Sequence, residues 1–461
     1  VYFLYSLLLT VGFIALLPKF AIDALRTRKY VTGLSQRLGN LPALPSQNHP
    51  VIWIHCVSVG ETEAARPLIR SLLEKFPSHQ LVVSTTTVTG QKVARNAFGK
   101  EAAAVFYFPI DWAWTVRRVL RVLRPAAVLI METELWPHLL RECSARSIPV
   151  ALINGRISET SFRRYKWIAS FIRRVLNDLT IALMQSEQDA ARIRELGLPD
   201  KRILMTGNLK FDSSEASNED VTVSLRKRFA IDEARPLIVA GSTHEPEESI
   251  LIEAFKQLKS RPSALGARLT VRLMPRLMIA PRHPERFSDV STLLQKSGLI
   301  WARWSDPEQT ADASCDVILL DTVGELRAAY PLAAVAFVGG SLAPYGGHNV
   351  LEPASLGIPV ITGAYTQNFA AITKALLDED AIVQLPNLEA AQAANELASV
   401  LGQLLSEETR RRDIGQRAQA VCNQNRGATE RTVQVIESLL AAPATAGKLL
   451  PFTALHATTA K

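Results

Sequence analysis

Twice along this chain of 461 residues, short apolar runs alternate with longer amphipathic stretches. In the first series the runs are Val51–Ile54, Leu81–Thr85, Val105–Phe108, Ala127–Met131, Val150–Asn154 and Ile181–Met184. Helical stretches at Arg66–Phe76, Gln91–Phe98, Trp112–Leu123 and Trp136–Ala145 fall between some of them. Apolar runs this short, with no polar alternation, are the pattern of strands buried on both faces. Strands that alternate with helices predict a parallel sheet covered on both sides, a Rossmann-like unit, over residues 20–212. A second series, from Leu237 through Leu277, Val317 and Val335 to Gly357–Gly363, predicts another such unit over 231–440. The polar stretch Ser213–Asp220 reads as part of a linker over 213–230, and the Ala/Thr-rich residues 441–461 as a frayed tail. The long helical stretch Glu407–Leu440 is expected to pack back across both domains. Four widely spaced cysteines without a CxxC pair predict free, mostly buried thiols.

In open α/β sheets ligands collect outside the carboxyl ends of the strands, where helix N-termini present their N–H groups. The polar residues at those ends are therefore the candidate site. Ser58, Gly60 and Glu61 close the first strand and open a helix; Glu61 is placed to meet a substrate, although glutamate is also favoured in a first helical turn. Thr85–Gly90 suits either an anion or a capping turn. Glu132 and Glu134 follow the Val128–Ile130 run directly, and unpaired buried carboxylates are costly, so function or a paired structural role is expected, with Glu132 the better placed. Arg156 lies just past the next strand, and Lys210 follows Ile203–Met205. No GxGxxG follows the first strand, so a dinucleotide is not expected. In the second series Gly241, Ser242 and Thr243 suit the approach of a phosphate. Arg282 and the turn near Asn349 suit a phosphate contact, and Glu352 suits a ribose. His348 is expected to cap or pack.

Charge is uneven. Residues 1–212 carry 28 Lys and Arg against 16 Asp and Glu, a balance of +12; the remainder carries 24 against 28, a balance of −4. A basic front half points to an acidic partner, and without a nucleic-acid-binding signature the partner is not expected to be nucleic acid. Residues 1–18 hold no charge and as a helix would reach about 27 Å, close to the hydrocarbon thickness of a bilayer. Lys19, Arg26, Arg28, Lys29 and Arg37 follow. This predicts a signal-anchor with the rest of the chain in the cytoplasm, or at least a helix dipping into the inner face of a membrane. Arg163, Arg164, Lys166, Arg173 and Arg174, with Tyr165 and Trp167 among them, read as a surface that meets anionic lipid or as a solvated helix face.

The motifs taken together, in order HCVSVGE (55–61), STTTVTG, METELWP, NGRIS, GNLKFD, GSTHE, APRHPER, DTVGEL, FVGGSL, GGHNVLEP and GIPVITG (357–363), resemble the 3-deoxy-D-manno-octulosonic acid (Kdo) transferases of lipopolysaccharide synthesis. The resemblance implies an α/β GT-B fold, two Rossmann-like domains facing across a cleft, with an N-terminal membrane anchor. It implies an inverting transfer of Kdo from CMP-Kdo to a lipid A precursor without metal or other cofactor. Glu61 then resembles the general base, and Glu132 and Lys210 the residues that steady the transition state. Pro281 and Arg282, Gly324, Glu325 and Leu326, and Asn349, Val350, Leu351 and Glu352 resemble the CMP contacts. Val350 stands where the commonest form of the family has proline, which changes loop stiffness. Two other readings compete: a GT-B transferase or epimerase using a UDP-sugar, and a non-catalytic, membrane-tethered nucleotide-binding protein.

Overall fold

The computed structural model describes the chain except Val1, residues 28–31, Ala43, 46–48, 213–217, Glu233, 261–273 and 442–461; over 19–27 it describes the backbone only. The chain divides into two compact units, Val1–Ser213 with Asn425–Lys461, and Ser214–Gln424.

The first unit holds β1 (Val51–Cys56), β2 (Gln80–Thr85), β3 (Ala104–Tyr107), β4 (Pro125–Met131), β5 (Val150–Gly155), β6 (Ile181–Met184) and β7 (Ile203–Met205). They form one parallel sheet in the order β3-β2-β1-β4-β5-β6-β7. Every β1 residue is buried. Trp53, Val82, Phe106 and Val128 face one apolar layer, and Ile52, Ile54, Val83 and Leu129 the other. At roughly 1.5–3 kcal/mol for each large side chain fully buried, these two layers fix the sheet between its helices. The strand order reverses between β1 and β4, the place where open parallel sheets form a crevice.

The second unit holds β8 (Leu237–Thr243), β9 (Arg276–Pro281), β10 (Trp301–Arg303), β11 (Val317–Leu319), β12 (Ala333–Val338), β13 (Val360–Thr362) and β14 (Val383–Gln384). These pair in parallel as β10-β11-β9-β8-β12-β13-β14, with the reversal between β8 and β12. Both units are thus the Rossmann-like folds expected from the alternation, and all four cysteines are buried free thiols.

Three segments differ from the expectation. Of the expected linker, residues 213–217 lie outside the described residues, but Glu219–Arg228 is a helix of the second unit. Asn218 caps it, Leu225 is buried in the core and Thr222 Oγ1 donates to the Ala328 carbonyl. The long C-terminal helix is two helices. Glu408–Asn425 lies almost wholly in the second unit, while Ala428–Ala441 belongs to the first, where Ala428, Val433, Val435, Ile436 and Leu439 complete an apolar layer. Asp212 fastens its start by accepting from the N–H groups of Gly427 (2.8 Å) and Thr429 (2.6 Å). The frayed tail lies outside the described residues.

The N-terminal segment is a helix, Tyr2–Thr27, and it is docked. Tyr2 donates to Asp178 (2.5 Å) and Tyr5 to Asp111 (3.0 Å). Ser6 Oγ meets His138 Nε2 at 2.7 Å, and Trp112 Nε1 donates to Thr10 Oγ1 at 3.2 Å. Phe13 packs edge-on against Trp112. These residues recur at helical spacing and form one face. The opposite face, Phe3, Leu4, Leu7, Leu8, Val11, Ile14 and Leu17, is exposed. Among the described residues no helix is long and apolar enough to cross a membrane. The expected spanning anchor is thus without support in the structure, where the hydroxyls of Tyr2, Tyr5 and Ser6 are partners for the domain beneath.

Candidate active site

At the carboxyl end of β1 the chain turns at Val57, and Ser58 caps the Val59–Lys75 helix. Glu61, in the first turn, folds its carboxylate back toward the strand end: Oε2 accepts from the Val57 N–H (2.7 Å) and Oε1 from Ser58 Oγ (3.0 Å). Only 7 % of Glu61 is exposed. Burial, then the nearby Glu132 charge, raises its pKa from 4.5 to about 7, against the pull of the two hydrogen bonds. A carboxylate poised near neutrality suits proton abstraction.

Glu132 stands at the end of β4, across the reversal from β1. Its backbone lies in the left-handed region (φ 55°), rare for a side chain with a Cβ and a conformation that collects at functional sites. The Glu132 N–H donates to the Ile153 carbonyl (2.9 Å), which ties it to the end of β5, and its Oε2 accepts from Arg156 at 3.1 Å. Glu134 is pushed up by burial and then by Glu132. Lys210 sits in the Leu209–Asp212 turn after β7; burial lowers its pKa, while Glu132 and Glu61 act in the opposite sense. Four strand ends, those of β1, β4, β5 and β7, therefore bring Glu61, Glu132, Arg156 and Lys210 to one edge, two carboxylates beside two cations. Arg156, noted in the sequence only as lying past a strand, is here the partner of Glu132. Thr85–Gly90 is a capping turn: Thr87 accepts from the Gly90 N–H, and Thr85 Oγ1 donates to Gln91.

In the second unit, Pro281 ends β9 and the Arg282 N–H donates to the Thr243 carbonyl (3.0 Å), placing an exposed guanidinium beside the end of β8. Gly324 (φ 96°) has open space where a side chain would stand. Leu326 opens the Leu326–Ala329 helix. Glu325 is engaged within the unit, accepting from Trp304 Nε1 (2.7 Å) and Thr322 Oγ1. Val350 and Leu351 are buried, and the Leu351 N–H donates to Asn349 Oδ1 at 3.1 Å. Asn349 Nδ2 (3.2 Å) and Arg327 Nε (3.0 Å) both donate to Glu352 Oε1, which aims that carboxylate and matches it with a cation. The Gly241 reading is corrected: a Cβ there would meet Tyr330 Oη and Leu326, so packing inside the unit requires the glycine.

Three histidines converge here, a grouping the sequence did not disclose because they come from three loops. His244 and His348 stack with rings 5° from parallel and Nε2 atoms 2.8 Å apart; Tyr345 stacks on His244 at 4.2 Å, and His283 meets its edge at 5.2 Å. Burial, and then the charges of neighbouring His283 and Arg282, lowers His244 to about 4 and His348 to about 3. Both rings are neutral at pH 7, one donating and the other accepting.

Residues 32–213 match the family model described as 3-Deoxy-D-manno-octulosonic-acid transferase (kdotransferase). The chain is 32% identical over 445 residues to a 3-deoxy-D-manno-octulosonic acid transferase of Haemophilus influenzae, covering 95% of this chain and 98% of that one. It is 35% identical over 391 residues to a protein of the same name from Bordetella pertussis, covering 84% and 87% respectively. Among solved structures, the UDP-GlcNAc 2-epimerase of Neisseria meningitidis superposes with a TM-score of 0.54 at 14% identity, covering 84% of this chain and all of that one, which is a likeness of fold.

Proposed function

Because the chain belongs to the 3-deoxy-D-manno-octulosonic-acid (Kdo) transferase family, we propose that it moves Kdo from CMP-Kdo to a hydroxyl of a lipid A precursor, with Glu61 as general base. The single observation that carries this reading is the buried Glu61 carboxylate at the β1 end, with its pKa near 7. Ionised, it takes the proton from the acceptor hydroxyl as the oxygen attacks the anomeric carbon of Kdo. The bond to phosphate breaks from the opposite face and CMP leaves with the electron pair, which inverts the anomeric centre. Glu132 and Lys210 steady the charge that develops, and Arg156 holds Glu132 in place. On the donor side, Arg282 meets the phosphate, while Pro281, Gly324, Glu325, Leu326 and the turn Asn349, Val350, Leu351, Glu352 hold the cytidine, with Glu352 on the ribose. CMP carries less charge than a nucleoside diphosphate, so these cations serve in place of a metal ion.

The exposed apolar face of the Tyr2–Thr27 helix suits the inner face of the inner membrane, where the acceptor would lie. On the docked face Tyr5 reaches Phe171 (ring centroids 6.0 Å apart), so the helix lies beside the segment carrying Arg163, Arg164, Lys166, Arg173 and Arg174. Trp167, 92% exposed, and Ile168 stand among those cations. An apolar face beside aromatic and basic residues is the pattern of a helix lying in the plane of an anionic bilayer surface.

The test is transfer from CMP-Kdo to a tetraacylated, bis-phosphorylated lipid A precursor in excess EDTA, for wild type and Glu61→Ala. Product from wild type alone supports base and metal independence together. Equal rates would remove Glu61 from the role, and no product from a wild type that binds CMP would favour a non-catalytic nucleotide-binding protein.

A further inference from the structure

Glu247 opens the Glu247–Ser260 helix and is fully buried. Its Oε2 accepts from the backbone N–H groups of His244 (2.9 Å) and Gly340 (2.7 Å), and its Oε1 from those of Ser341 (2.8 Å) and Leu342 (2.9 Å). Four backbone donors fill the acceptor capacity of one carboxylate. They come from two loops, the one after β8 and the one after β12. These are the neighbouring strands at which the order of the second sheet reverses, where such sheets admit ligands.

A buried carboxylate is costly unless its lone pairs are met, and burial does push this one up while the four N–H groups pull it back. What the arrangement achieves is closeness of the two loops. A Cβ at Gly339 would lie 2.7 Å from Glu247 Oε2 and 2.6 Å from the Ser242 carbonyl oxygen. One at Gly340 (φ 68°) would lie 2.8 Å from the His348 ring. The turn is drawn in until only glycine fits, and His348 then rests on it against His244. Glycine-rich turns of this kind commonly offer their N–H groups to a ligand phosphate. Here Gly340, Ser341 and Leu342 have already given theirs to an internal anion.

We propose that Glu247 is a positioning residue for the donor nucleotide: by tying the loops after β8 and β12 together, it sets the crevice between them and the His244–His348 pair beside it. The proposal rests on reading the second unit as the CMP-Kdo site. It also assigns recognition of the phosphate to side chains such as Arg282, because the turn's own N–H groups are occupied.

The experiment uses the full chain and CMP as the probe. Glu247→Gln puts an NH2 group against two of the four N–H donors, so CMP binding by calorimetry should weaken about tenfold or more. KM for CMP-Kdo should rise more than kcat falls, and the imidazole 15N resonances of His244 and His348 should shift. If that variant does not fold, Glu247→Asp, which keeps the charge but shortens its reach, carries the test with a smaller effect in the same direction. Asp312→Asn is the control. Asp312 is also buried, and accepts from Arg228 Nε (2.7 Å) and the Gln309 N–H (3.0 Å) within the same unit; the variant should lower the melting temperature and leave CMP affinity unchanged. The proposal is overturned if Glu247→Gln binds CMP as wild type does with unchanged histidine resonances, or if Asp312→Asn weakens CMP equally. A wild type that fails to bind CMP overturns the donor-site reading itself, and the proposal with it.

Discussion

The raised pKa of Glu61 implies that the first unit carries an unfavourable charge that a neutral isostere would remove. Folding lifts this pKa from 4.5 to about 7, so the folded state holds its proton more tightly than the unfolded chain does. The associated stability is present below about pH 4.5 and is lost as pH rises through about 7. A tenfold change in proton affinity is worth about 1.4 kcal/mol, so the whole rise comes to about 3 kcal/mol, all of it felt by about pH 8. Near pH 5 the loss is only about 1 kcal/mol. Glu61→Gln can keep the local bonds: its carbonyl accepts from the Val57 N–H, and its amide donates to Ser58 Oγ. The variant should therefore gain roughly 2–2.5 kcal/mol relative to wild type between about pH 5 and pH 8, while transfer falls by a factor of about 10²–10⁴. The assay is urea denaturation of both proteins at the two pH values. Taking the difference between them cancels steric effects of the substitution, which do not depend on pH. A stability difference that stays constant with pH would refute the picture of a carboxylate ionising against its surroundings.

Glu132→Gln removes the second cause of the raised Glu61 pKa after burial, so the acidic limb of the kcat/KM profile should move to lower pH even as kcat falls; a limb that stays in place would mean the two carboxylates do not interact. Leu8→Asp, on the exposed face of the Tyr2–Thr27 helix, should reduce co-sedimentation with phosphatidylglycerol vesicles several-fold without lowering the melting temperature, since the residue faces away from the domain.

The strands and the residues at their ends were legible because each run of buried β residues is short, apolar and followed by a turn. Glu61, Glu132 and Lys210 could be read as sharing one sheet edge from their place after such runs. Their closeness could not, because it depends on strand order: β1 and β4 are neighbours in the sheet and far apart in the chain. Glu247 escaped notice for a related reason. As a glutamate opening a helix it is unremarkable in sequence, and its meaning lies in three N–H groups some ninety residues later (i–j separations of 93–95). The docking of the N-terminal helix was not legible because hydropathy averages over a helix, whereas the hydroxyls of Tyr2, Tyr5, Ser6 and Thr10 all fall on one side of it.

The return of the Ala428–Ala441 helix to the first unit has a consequence for synthesis. Much of that unit is made early, yet Ile436 and Leu439, which help cover the layer containing Ile54, Val83 and Leu129, are among the last described residues to leave the ribosome. Until they arrive, the nascent first unit shows an uncovered apolar strip, while the second unit already has its complete chain. Chains cut short before Ala428 should therefore be marked by that strip for chaperones and proteases, however well the second unit has folded. The Ala428–Ala441 helix acts as a check that translation has run through both units.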